Sequence, residues 1–76
     1  MQSTSPPVVR LREDAFARWT ESLALRSETE AAEYIGVSQA TLNRIRRGEI
    51  TPGEKFIAAL LAASRLQFEE LFEVAS

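Results

Sequence analysis

Three arginines and a lysine, Arg44, Arg46, Arg47 and Lys55, fall within twelve residues of a 76-residue chain. Cationic side chains at that density suit contact with an anionic polymer such as a phosphate backbone. The overall balance opposes this, since nine Lys+Arg stand against eleven Asp+Glu for a net charge of −2, where a basic balance is the usual footprint. Distribution matters more than the sum. The acids are spread over Glu13–Glu33 and the tail residues Glu69, Glu70 and Glu73, so one basic face can still meet phosphate. The chain holds no His and no Cys, which excludes a disulfide framework, a zinc site, a thiol nucleophile and any His-based triad. A domain this small rarely encloses a substrate-sized pocket. No catalytic residues, no metal, no cofactor and no small-molecule ligand are expected, and the chain reads as a non-enzyme.

These residues must be held by short helices. Glu13–Leu25 carries Phe16, Trp19 and Leu23 at helical spacing, with Glu13 and Asp14 at the positive end of the helix dipole. Ser27 with Glu30 forms a capping box and opens a helix through Ile35, which Gly36 ends. Ser38 is a natural N-cap for Gln39–Arg47, with Leu42 and Ile45 apolar and Gly48 ending it. Thr51 with Glu54 is a second capping box, with Pro52 at the first helical position. It starts a helix to about Ser64 that buries Phe56, Ile57, Leu60 and Leu61. A break at Arg65–Gln67 precedes a last short helix with Phe68, Leu71 and Phe72 apolar. Val8–Leu11 is the single stretch that allows an extended strand. Residues 1–7 read as a disordered arm, and residues 8–76 as one domain of all-α class with five compact helices. The longest apolar run, Phe56–Ala63, is far short of the roughly 20 residues a bilayer requires. No signal peptide is visible, so a cytoplasmic protein without membrane contact is expected.

Residues 28–48 (ETEAAEYIGVSQATLNRIRRG) carry the most information. Two helices crossing at a wide angle over a three- or four-residue turn need a small residue where they meet. Ala32 supplies it. The turn needs a residue tolerant of positive φ, and Gly36 stands four positions on. Ile35, Val37, Leu42 and Ile45 then point into a core. The set fits a helix-turn-helix, where a lone glycine would not decide.

On these residues the chain resembles the XRE family, the Cro and phage-repressor type of helix-turn-helix domain, from about Phe16 to Phe72. GVSQATLNRIRRG is similar to the family's turn and recognition helix, and Leu66–Phe72 to its closing pattern, L-G-V-S-L-D-E-L-F. The resemblance implies a Cro/repressor-like all-α fold and binding of double-stranded DNA. It places helix 39–47 in the major groove with its N-terminal residues toward base edges. Carried over by position, Gln39, Ala40, Asn43 and Arg44 are the expected base contacts. Gln pairs with adenine, a methyl with the thymine methyl, and Arg with guanine, with Arg44 equally able to hold a phosphate instead. Ser38, Thr41, Arg47 and Lys55 are the expected phosphate contacts.

Two positions depart from the family. Glu28 stands where Gln is common, and a carboxylate there repels phosphate, so either it turns away or the docking differs. Arg46 stands where a Glu commonly meets an Arg of the first helix. A reversed pair is expected, with Arg46 meeting Glu21 or another acid of the first helix. The resemblance further implies a homodimer on half-sites about one helical turn apart. Phe68, Phe72 and Val74 are candidates for its interface, and edge pairing of Val8–Leu11 is a second route. A transcriptional repressor, phage-borne or from a mobile element, is the main expectation. A protein-interaction module on the same fold, such as an antitoxin or phage adaptor with a protein partner, is the alternative.

Overall fold

The computed structural model describes residues 6–75. The expected arm falls mostly on residues 1–5, outside the described residues. Pro6 and Pro7 are exposed and belong to no element. The elements are β1 (Val8–Leu11), α1 (Glu13–Ser22), α2 (Glu28–Ile35), α3 (Gln39–Arg46), α4 (Glu54–Ser64), α5 (Phe68–Leu71) and β2 (Phe72–Ala75). The all-α expectation holds for the bulk of the chain. Among the described residues no helix is long and apolar enough to cross a membrane.

The core draws on every helix. Phe16 and Trp19 of α1 meet Ala31, Ala32 and Ile35 of α2, Leu42 and Ile45 of α3, Phe56 and Leu60 of α4, and Leu71 and Phe72 near the C-terminus. Burying the larger of these side chains contributes about 1.5–3 kcal/mol each. Phe16 and Trp19 lie 5.8 Å apart between ring centroids, and Phe56 meets Phe72 edge-on at 6.3 Å.

Several boundaries differ from the sequence reading. α1 ends at Ser22 rather than Leu25. The chain turns left-handed at Ala24 (φ +57°), and the Leu25 N–H donates back to the Thr20 carbonyl at 3.0 Å, which closes the helix end. Leu23 is consequently exposed rather than part of the core. Pro52 is buried outside the helix, and α4 starts at Glu54 behind Gly53, which offers no side-chain cap. Thr51 therefore caps nothing. A reciprocal capping box forms instead at α5, between Gln67 and Glu70.

The largest difference is at the C-terminus. Phe68, Leu71 and Phe72 have helical spacing, yet α5 stops at Leu71 and the next four residues form a strand. Its partner is β1, in antiparallel register from Val8↔Ala75 to Leu11↔Phe72. The deciding interaction is remote in sequence, so local periodicity cannot reveal it. Arg12 clasps the two chain ends: its backbone N–H donates to the Leu71 carbonyl at 2.7 Å. Its Nε donates to the Glu69 and Phe72 carbonyls, and the guanidinium pairs with Glu73 at 3.3 Å. Phe72 is 1% exposed and Phe68 stacks on it, half-buried. Phe72 thus belongs to the core and not to an open dimer patch, and Phe68 is largely committed to it. Val74, 65% exposed, is the one residue of that set on the surface.

Candidate nucleic-acid interface

α2 and α3 form the two-helix unit that the sequence pointed to. Ser27 caps α2 by accepting from the Glu30 N–H at 3.1 Å. The Glu30 carboxylate reaches one residue further back than a capping box requires, accepting from the Arg26 N–H at 2.7 Å. Gly36 closes α2 at φ +93°, and its N–H and that of Val37 both donate to the Ala32 carbonyl. This left-handed ending suits glycine. Ala32 is buried, as a small residue at a helix crossing must be. Ser38 caps α3 by accepting from the Thr41 N–H at 3.1 Å, while its hydroxyl donates to the Thr41 hydroxyl at 2.8 Å. Gly48 at φ +76° leads the chain away after Arg47.

Leu42 and Ile45 face the core, so residues three and four apart on the other side of α3 face outward. Gln39, Ala40, Arg44 and Arg47 are exposed, Thr41 and Asn43 half-buried. The expected base-contact set thus shares one surface of one helix. Lys55 is exposed on a different element, α4.

The side chains on this surface are not equivalent. Arg44 forms no ion pair with any described residue and stands out as an open cation. Arg47 pairs with Glu49 at 3.2 Å, and its guanidinium donates to the side-chain amide oxygen (Oδ1) of Asn43 at 3.3 Å. The Thr29 hydroxyl donates to Oε1 of Gln39 at 2.9 Å, joining the first turns of α2 and α3. Asn43, expected to meet a base, already donates its amide N–H to Oε1 of Glu28 at 2.9 Å.

Glu28 turns inward. Its second oxygen accepts from Arg46 at 3.3 Å, and the carboxylate is thereby drawn back onto α3 and matched by a cation. Arg46 also makes a two-pronged contact with Glu13 in the first turn of α1. The reversed pair expected from the sequence exists, with Glu13 rather than Glu21 as its partner. The guanidinium carbon lies 5.0 Å from the centroid of Phe16. Hydrogen bonding to Glu13 raises the affinity of Arg46 for its proton, against a smaller opposing push from burial. One cation thus binds the N-terminal turns of α1 and α2 to the last turn of α3, where all three helix dipoles favour these charges.

Of the three arginines in the basic stretch, Arg46 is neutralised by two carboxylates and Arg47 by one. The outward field of α3 rests mainly on Arg44. Sequence reasoning missed Thr29, whose partner Gln39 lies 10 residues away, and left open which acid of the first helix meets Arg46, 33 residues from Glu13. No local pattern signals such contacts.

Residues 23–71 match the helix-turn-helix family. An "Uncharacterized HTH-type transcriptional regulator YvzC" of Bacillus subtilis (strain 168) is 46% identical over 46 residues, covering 60% of this chain and 60% of that protein. The aligned region therefore spans about three-fifths of the relative. No solved structure matches the chain.

Proposed function

The chain belongs to the XRE-type helix-turn-helix family, and from that premise we propose that it binds double-stranded DNA and regulates transcription. The exposed row of α3, led by the unpaired Arg44 and flanked by Gln39 and Ala40, is the observation that carries this reading. α3 enters the major groove. Arg44 pairs with guanine O6/N7 or grips a phosphate, Gln39 meets a base edge, and the Ala40 methyl packs on a thymine methyl. Thr41, Arg47 and Lys55 hold phosphates on the flanks, with Ser38 beside them, although its hydroxyl is engaged as the α3 cap. The inward turn of Glu28 supports this docking, since it places a matched rather than a free carboxylate near the backbone. The chain acts in the cytoplasm, most simply as a homodimeric repressor that occludes a promoter.

The test is an NMR titration of the protein with short double-stranded DNA at about 0.15 M salt. Shifts concentrated in the amides of residues 38–47 and the first turn of α2 are the expected result. Shifts confined to the β1–β2 face, or none at all with tight binding to a co-purified protein instead, would favour an interaction module and sink the DNA reading.

A further inference from the structure

Asn43 sits between two fixed charges. The carboxylate of Glu28 only accepts hydrogen bonds and the guanidinium of Arg47 only donates them. The amide of Asn43 can satisfy both in one orientation, with its NH2 toward Glu28 at 2.9 Å and its oxygen toward Arg47 at 3.3 Å. Glu28 is held in turn by Arg46 at 3.3 Å. On its far side Arg47 meets Glu49 at 3.2 Å through Nε. The Arg47 guanidinium is therefore suspended between Asn43 and Glu49, and its remaining N–H groups are free to point outward.

We propose that Asn43 is a positioning residue: it links Glu28 to Arg47 and presents the Arg47 guanidinium, already ordered, to a DNA phosphate, rather than reading a base itself. The inference rests on the DNA-binding reading and assigns its work differently. Bidentate pairing with adenine would require both amide groups of Asn43 to face the groove. That would unpair the Glu28 oxygen and release Arg47 together. Ordering a long side chain in advance removes an entropic cost of binding. Phosphate contacts carry no base information of their own. The link thus raises affinity for every sequence alike.

The experiment measures equilibrium binding of the full chain to a duplex enriched from a random pool and to its single-base-pair variants. Asn43→Ala, Arg47→Ala and the double variant are compared with the wild type. The expected result is that Asn43→Ala weakens binding about three- to tenfold on every duplex, with the order of preference unchanged. In the Arg47→Ala background, Asn43→Ala should then have no further effect. Loss of preference at a single base pair, or a full additional loss in the Arg47→Ala background, would overturn the proposal. A folding defect is separated from this by side-chain relaxation of Arg47 Nε–H in the free protein. That group should become mobile in Asn43→Ala, and an Arg47 side chain equally ordered in both proteins would also overturn it. If the wild type enriches no duplex at all, the DNA reading itself fails, and the positioning role falls with it.

Discussion

Replacing Arg46 by Met tests the lock that holds three helices together. Met keeps an apolar stem over Phe16 and removes the charge, so packing loss is kept small. The Glu13 contact is half in water, with 51% of that side chain exposed, and such pairs contribute about 0.5 kcal/mol. The Glu28 contact is more sheltered, at 21% exposure. Losing it leaves a partly buried carboxylate with Asn43 alone, a cost of about 1 kcal/mol after discounting for remaining solvent. The cation above the Phe16 ring adds about 0.5 kcal/mol. Together these give about 2 kcal/mol, which in a domain of this size lowers Tm by about 8–16 °C. The assay is thermal and urea unfolding of both proteins. Because the proton affinity of Arg46 is raised in the folded state, its contribution is fully present below the unfolded value. The difference between the two proteins should therefore stay constant from about pH 6 to about pH 9. A loss below about 0.5 kcal/mol, or a difference that vanishes within that pH window, would refute the lock.

Other positions separate equally sharply. Phe72→Ala should cost about 3–5 kcal/mol as a core deletion, whereas Val74→Ala should stay within about 0.5 kcal/mol; comparable losses would mean that the C-terminal strand is misplaced. Gly48→Val meets no steric neighbour, yet it forces a β-branched residue to φ +76°, costing about 1–2 kcal/mol; an unchanged Tm would contradict this. Few cations on the α3 side are unpaired, so the logarithm of DNA affinity should fall with the logarithm of salt at a slope of about −3 per protomer. A slope much steeper than about −4, the value if Arg44, Arg46, Arg47 and Lys55 all neutralised phosphates, would show that cations outside this face take part.

The helix-turn-helix was legible because its determinants are local. Ser27, Gly36, Ser38 and Gly48 each fix a helix end through their own backbone or side chain, and Leu42 with Ile45 fixes which face of α3 is left open. The C-terminal strand was not legible, because Phe68, Leu71 and Phe72 carry the spacing of a helix and only the distant Val8–Leu11 converts the last of them to strand. The first helix was read too long because Leu23 continues its apolar spacing, while the left-handed turn at Ala24 (φ +57°) ends it. In the site, residue types and surface were readable but not internal partners. The sequence posed the question of Glu28, and the answer lay in Asn43 and Arg46, 15 and 18 residues away. Arg46 was read as paired with the first helix, but the choice of Glu13 over Glu21 depends on how α1 crosses α3.

The central claim, that the open face of α3 reads DNA through Arg44, is tested most directly by selecting duplexes from a random pool with the wild type and with Arg44→Ala. The account predicts an enriched sequence for the wild type, and about 1–3 kcal/mol weaker binding to it by Arg44→Ala. If Arg44 reads a base, the loss is accompanied by relaxed preference at one position; if it holds a phosphate, the loss is uniform. Equal enrichment by both proteins, or enrichment by neither, would contradict it.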